Sequence, residues 1–413
     1  MSQEQLAKEI MARADELAQY SEKPDGICRR YGTSEMRAVL ERTREWMLAV
    51  DLDVTTDAFG SLIGIYAAEE GAAEHRPFVI GGHLDSVRDA GRYDGILGVL
   101  TGLAVIEQMH RQNRRLPFPV QLIAFAEEEG LRFNSTLVGS RAWTGLPVAE
   151  QLAYTDEAGI SLREAIRAFG GDPDSLGSGE HPDLLGFLET HIEQGPVLEH
   201  EDLPVGVVTS IVGSDRAEIK IAGMAGHAGT VPMALRRDAL TAAAELVLEV
   251  ERIGRQTPGL VATVGELEVH PGATNVIPGS VRLTCEVRHA SGEVCTDAIR
   301  AIRSSLETIC EKRGTSFGWR DIAGYPATPC DPGLVHLLSE AVRAEGVRVL
   351  TLASGAGHDA VNIGQIAPVS MLFMRCKEGI SHNPAESIHV ADVEVAIRVM
   401  LGFLDLIASR QAG

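Results

Sequence analysis

The chain has 413 residues, 45% hydrophobic and 23% charged, ordinary globular values that set aside disordered and collagen-like classes. Thirty-seven basic residues against 58 acidic ones leave a formal charge of −21, which repels phosphate backbones and excludes general nucleic-acid binding in favour of small-molecule partners. The longest apolar stretch, Gly95 to Met109, is too short and too interrupted to span a bilayer.

Residues 1–20 carry acidic and basic residues throughout, with Leu6, Ile10, Met11 and Leu17 at helical spacing. That pattern predicts an amphipathic helix rather than a secretory signal. Thr33 or Ser34 caps a second helix with Met36, Val39, Leu40, Trp46 and Met47 on one face, and extended segments follow at Leu52–Thr56 and Ser61–Tyr66. The runs PFVIGGHLDS and PVQLIAFAEEEG each pass from apolar residues into polar ones, as buried strands of an α/β sheet do, and ligands gather at such strand ends. Near Ser210 the texture changes to extended segments (Ala217–Ile221, Leu260–Val269, Val281–Val287) interleaved with helices at Arg237–Gly254 and Glu293–Lys312. After Gly324 the α/β pattern returns and closes on a helix at Asp392–Ser409. The expected organisation is one α/β sheet domain, residues 1–209 and 325–413, interrupted by an inserted α+β domain, residues 210–324. Cys28, Cys285, Cys295, Cys310, Cys330 and Cys376 form no C-x-x-C pair, which predicts core thiols in a reduced, cytoplasmic protein.

Five segments hold the metal-capable residues: GGHLDS (His83, Asp85), RYDG (Asp94), AEEEG (Glu127, Glu128, Glu129), THIEQGP (His191, Glu193) and GISHNPAE (His382, Glu386). Imidazole plus carboxylate without thiolate suits Zn²⁺ and tolerates Mn²⁺, Co²⁺ or Ni²⁺. In extended backbone, residues two apart share a face, so Asp85 is placed to orient the His83 ring. A single such histidine or acidic run is ordinarily a satisfied or solvated residue. Five such segments together, two of them at the ends of apolar runs, point to a metal-dependent hydrolase.

The segments HLDSV, RYDG, EEEGLRF, HIEQGPVLE, GHAGTVPM, GATNVIPG, SGAGHDA and GISHNPAE, in this order from about Gly81 to His389, resemble the hydantoinase/carbamoylase-type amidases. These are a branch of the dinuclear zinc peptidases that includes aminoacylase and carboxypeptidase relatives. The resemblance implies a zinc-peptidase-like catalytic domain with a mixed sheet flanked by helices, split by a ferredoxin-like lid or dimerisation domain, and hence a homodimer. It implies two divalent ions per subunit, one held by His83, Asp94 and His191 and the other by Asp94, Glu129 and His382, with Asp94 bridging. Two such ions, roughly 3.5–4 Å apart, lower the pKa of a shared water. Glu128 is implied as general base with Asp85 assisting, and Glu127 as structural. Arg288 is implied as clamp for a substrate carboxylate, and Gln194, Asn275, His227 and the backbone at Ala356 and Gly357 as further substrate contacts. His227 is also implied to stabilise the oxyanion from the partner subunit; His358 receives no role. Gly226 and Val231 depart from the commoner Asn and Thr of the branch, which bears on substrate fit.

The implied reaction hydrolyses a ureido or N-carbamoyl C–N bond of a carboxylate-bearing substrate, releasing ammonia and carbon dioxide. The segments MLFMRCKEGISHNPAE and YPATPCDPG favour an allantoate amidohydrolase over an N-carbamoyl-L-amino-acid hydrolase, and a dipeptidase or aminoacylase is the further alternative. GTSFG (Gly314–Gly318) matches G-x-S-x-G but follows a helix and leads into an extended run, the reverse of a nucleophile elbow. Asn134-Ser135-Thr136 reads as a loop.

Overall fold

The computed structural model describes residues 2–411. They form two compact units: Ser210–Pro329, and the remainder of the chain on either side of it. The strand Ser316–Tyr325 runs past the expected 324/325 boundary, because its last residue still pairs with Ser214.

The larger unit is built on a mixed sheet. Its strands lie in the order Val205–Ile211, Val369–Met374, Gly186–Ile192, Phe78–His83, Val120–Phe125, Leu62–Tyr66 and Asp53–Thr56, and the short strands Thr328–Pro329 and Thr351–Ser354 also pair with Val205–Ile211. Val369–Met374, Gly186–Ile192, Phe78–His83 and Val120–Phe125 are mutually parallel and buried along their whole length. This explains why Phe78–His83, Val120–Phe125 and Val369–Met374 read as largely apolar runs rather than alternating ones, while Gly186–Ile192 carries Glu189, Thr190 and His191 in its buried half. Helices Gln3–Leu17, Ile96–Arg111, Pro332–Ala344 and Val390–Gln411 pack on one another. Thr33 caps the helix Ser34–Leu48 through its side chain, as expected.

Helix Ile96–Arg111 is buried on almost every face, and it approaches the sheet closely through glycines. A Cβ on Gly98 would lie 2.6 Å from the Thr190 carbonyl oxygen and 2.9 Å from that of Gly81, both backbone atoms unable to move aside. Gly95, which caps the helix, has φ +70°, and a Cβ there would lie 2.2 Å from the His83 ring. Both positions therefore require glycine, one for space and one for conformation as well.

The inserted unit has its own core of Ala217, Ile219, Ile221, Leu246, Val281, Leu283, Ile302 and Leu306, among others. Its main elements follow the order strand Gly213–Ala222, helix Ala239–Gln256, strands Val261–His270 and Ser280–His289, helix Gly292–Arg313 and strand Ser316–Tyr325. In the antiparallel sheet they lie in the order second, third, first, fourth. This βαββαβ arrangement is ferredoxin-like. Gly314 ends the second helix in the left-handed conformation and the chain enters a strand, so GTSFG is a helix-to-strand link. All six cysteines are buried thiols, and burial pushes Cys285 and Cys330 up to about 12.

A Gly98→Val variant is expected to lose about 1–3 kcal/mol of stability through overpacking against backbone. Urea unfolding of the variant against the native chain measures this, and an unchanged midpoint would contradict the close-packing account.

Candidate metal centre

The parallel strands deliver their carboxyl ends to one edge of the sheet, and the candidate residues sit there. His83 ends Phe78–His83, the Glu127–Glu129 run follows Val120–Phe125, and His191 is the penultimate residue of Gly186–Ile192. Asp94 lies just before helix Ile96–Arg111, and His382 stands in the link before Val390–Gln411 with φ +53°.

Asp94 is the hub. Its Oδ1 lies 3.1 Å from His191 Nε2 and 3.8 Å from His83 Nε2, and its Oδ2 lies 3.1 Å from His382 Nε2. Glu129 Oε1 is 3.8 Å from His382 Nε2, and Glu128 Oε2 is 3.8 Å from His83 Nε2. Donor atoms thus converge in three overlapping sets: His83 with Asp94 and His191, Asp94 with Glu129 and His382, and His83 with Glu128 and Glu129. The first two share Asp94 and use its opposite oxygens, the disposition a bridging carboxylate needs.

The ring orientations suit this. His83 Nδ1 lies 3.1 Å from the Asp85 carbonyl oxygen and His191 Nδ1 2.9 Å from that of Ile192, so both rings can donate from Nδ1 and turn Nε2 inward, where it donates to carboxylate while the ring is protonated and would offer its lone pair to a bound cation. The expected carboxylate orienter is therefore a main-chain carbonyl. The strand stops at His83, so Asp85 lies in a link, and its carboxylate, 3.6 Å from the ring, instead accepts the N–H groups of Glu128 and Glu129 at 3.0 Å each. Asp85 holds the acidic loop in place.

Burial opposes charge on Asp94, yet hydrogen bonding to His191 and His382 outweighs it and holds the carboxyl well below its usual range. Burial pushes Glu128 well above the ordinary carboxylate range against the pull of His83, and raises Glu129 to about 7. Burial likewise works against charge on His83, but Glu128 and Asp85 overcome it and raise its pKa well above the ordinary value. Buried carboxylates beside inward-turned imidazole Nε2 atoms make a cation receptor, and the N/O donor set fits a divalent ion of the zinc or manganese type.

Other expected residues fall differently. Gln194, expected as a substrate contact, donates from Nε2 to Asp94 Oδ2 at 3.0 Å and to Ser381 Oγ at 3.1 Å. Glu193 accepts the N–H groups of Val197 and Leu198, and Glu386 those of Tyr93 and Asp94, so both act on backbone. Glu127 is buried with φ +58°, and burial pushes it well up. Ala356 and Gly357 lie between Thr351–Ser354 and the short helix Ala360–Ile363. The remaining three belong to the inserted unit. His227 and Asn275 adjoin there, since Ala228 N–H donates to the Asn275 carbonyl at 2.9 Å. Arg288, on Ser280–His289, donates to Glu286 at 3.1 Å.

The sequence model of Peptidase family M20/M25/M40 matches residues 79–406, which hold every donor of the centre. The chain belongs to this family. It is 36% identical over 386 residues to an N-carbamoyl-L-amino-acid amidohydrolase of Pseudomonas sp. (strain NS671), covering 92% of each chain. It is 34% identical over 433 residues to an allantoate deiminase of Arabidopsis thaliana, covering 97% of this chain and 82% of the relative. The crystal structure of a hydantoinase/carbamoylase family amidase from Burkholderia multivorans superposes with TM-score 0.90 at 34% identity over 98% of both chains. This member of the family is thus a hydrolase of the hydantoinase/carbamoylase branch.

Two contributors escaped the motif reading. Ser381, beside His382, donates to Asp94 Oδ2 at 2.9 Å; a serine next to a candidate ligand carries no distinguishing pattern. Arg29 is fully buried, and its guanidinium donates to the carbonyls of Leu84, Leu17 and Tyr20 at 2.7, 3.1 and 3.1 Å. Burial lowers it to about 10, with Asp85 supporting its charge. It fastens the first helix to the His83–Asp85 link. In the sequence it is indistinguishable from Arg30, which pairs with Glu22 nearer the surface.

Asp85→Asn keeps one acceptor oxygen where two are used, which leaves one of the Glu128 and Glu129 amides facing an N–H₂ group. Divalent-metal affinity, read by chelator competition, is expected to fall about 10- to 100-fold; unchanged affinity would remove Asp85 from the support of the centre.

Proposed function

We propose that the chain hydrolyses a ureido or N-carbamoyl C–N bond of a carboxylate-bearing small molecule, using two divalent ions held by His83, Asp94 and His191 and by Asp94, Glu129 and His382. The observation that carries this reading is the Asp94 carboxylate, whose two oxygens address two separate donor sets while Glu128 lies at their edge. Ions bound there would supply a water acidic enough to be hydroxide near neutral pH.

The protein's part follows from its side chains. Glu128, buried and 3.8 Å from His83, is placed to take the proton of the attacking water and return it to the leaving nitrogen. Water adds to the carbamoyl carbon, the C–N bond breaks, and the resulting carbamic acid falls apart to ammonia and carbon dioxide. Arg288 binds the substrate carboxylate with a planar fork, Asn275 and the backbone at Ala356 and Gly357 hold the remaining polar groups, and His227, from the partner subunit, stabilises the oxyanion. The working form is a cytoplasmic homodimer assembled through the inserted domain. Exposed Met224, Met233, Leu235, Leu248, Val261 and Leu267 in that unit support an association surface. No described helix is long and apolar enough to cross a membrane.

Allantoate is the substrate we put first, on the segments MLFMRCKEGISHNPAE and YPATPCDPG. N-carbamoyl-L-amino acids are the second reading, favoured by the 36% identity to the Pseudomonas relative of that name. Ammonia release by metal-reloaded protein decides between them: a kcat/KM for allantoate about a hundredfold above a panel of N-carbamoyl-L-amino acids assigns the first, and the reverse ranking assigns the second. Silence on both, with hydrolysis of N-acyl amino acids or dipeptides, would overturn the ureido reading.

Glu128→Gln removes the proton acceptor while preserving shape. Its kcat is expected to fall by about 10²- to 10⁴-fold with both ions retained, and near-normal turnover would take Glu128 out of the reaction.

A further inference from the structure

His358 is a buried histidine beside the centre to which the proposed reaction gives no task. It is 2% exposed and sits between the strand Thr351–Ser354 and the helix Ala360–Ile363. Its ring stands edge-on to that of His191, with centroids 4.6 Å apart at 68°, and 5.9 Å from the Phe373 ring. Its Nε2 lies 2.7 Å from Ser354 Oγ.

The hydrogen positions around Ser354 follow from counting. A serine hydroxyl has one hydrogen and two lone pairs. Ser354 Oγ accepts the Ala356 N–H at 3.2 Å and donates to the Ala356 carbonyl at 3.1 Å, closing a tight ring over residues 354–356. With the hydroxyl hydrogen on the Ala356 carbonyl, one lone pair is left, and the short bond to His358 is then donated by the imidazole Nε2. Nδ1 then faces Glu189 Oε1 at 4.0 Å, beyond direct hydrogen-bond reach. The half-buried Ala356 and exposed Gly357 thus hang on a backbone arc whose two polar groups close on a single hydroxyl, and that hydroxyl is fixed by His358.

We propose that His358 is a positioning residue: its Nε2–H locks Ser354 and, through it, the backbone of Ala356 in the conformation that receives the substrate. This rests on the reading that Ala356 and Gly357 present their backbone to the substrate. The alternative, a core histidine that merely fills space against His191 and Phe373, predicts no dependence on the Nε2–H.

Full-length, metal-loaded Ser354→Ala, His358→Phe, His358→Gln and the Ser354→Ala/His358→Phe double variant separate the two. His358→Phe keeps a flat ring against His191 and removes the donor, and His358→Gln restores an N–H. Two readouts are compared, ammonia-release kinetics and hydrogen exchange at the Ala356 amide. Each single loss is expected to raise KM about tenfold with kcat within about threefold, and to speed Ala356 exchange about tenfold, as befits one lost buried hydrogen bond. The double variant is expected to match either single one, because both break the same link. His358→Gln is expected to recover part of both effects. Multiplicative effects in the double variant, or unchanged Ala356 exchange in both single variants, would overturn the lock. Should the native enzyme release no ammonia from any ureido substrate, the reading of the reaction fails instead, and exchange at Ala356 decides the lock alone.

Discussion

Asp94 keeps its negative charge where burial penalises it, and the larger unit is arranged around that fact. Three imidazole nitrogens, the Gln194 amide and the Ser381 hydroxyl surround its two oxygens, and Glu386 grips its own N–H and that of Tyr93. These groups come from strands, a helix entry and loops that are distant in the chain. They meet because the parallel strands end at a common edge and because helix Ile96–Arg111 is drawn against the sheet at Gly98. Gly95 leaves the His83 ring the space it occupies.

Around this hub the molecule accumulates acid. Asp85, Glu127, Glu128, Glu189 and Asp359 are all buried, and Glu127, Glu189 and Asp359 each have a carboxylate oxygen without a hydrogen-bond partner among the described residues. Burial raises Glu127, Glu128 and Asp359 well above the ordinary carboxylate range. Such crowding is costly for a fold and is retained where a cation or a proton-transfer task uses it. Arg29 contributes opposite charge from inside the core, and its three carbonyl acceptors make it a brace as well. The centre thus combines rigid carbonyl-oriented histidines with carboxylates whose charge state a bound ion would set.

The inserted unit follows a different economy. Its sheet and two helices enclose a separate apolar core, so it needs no burial of catalytic polar groups to fold. The residues proposed to meet the substrate there are exposed or half-buried: His227 on a short paired strand, Asn275 just before its partner strand, and Arg288 on the strand whose Glu286 pairs with it and with Arg216 of the neighbouring strand. Substrate contacts on such a surface can change without disturbing the donor set of the other unit.

The sequence by itself determined the donor types, their order along the chain, the buried parallel strands and the change of texture near residue 210. Each of these rests on local chemistry: apolar runs ending in polar clusters, helical spacing, and five separate acidic segments, three of which also carry an imidazole. The tertiary structure decided which atoms face which. It gave the orientation of His83 to the Asp85 carbonyl rather than its carboxylate, turned Gln194 onto Asp94, placed Glu193 and Glu386 on backbone amides, and buried Arg29 beneath the His83–Asp85 link. Residue type and spacing limit what a side chain can do, but a hydrogen bond is chosen by the few tenths of an ångström and the lone pairs that remain once distant segments are packed together.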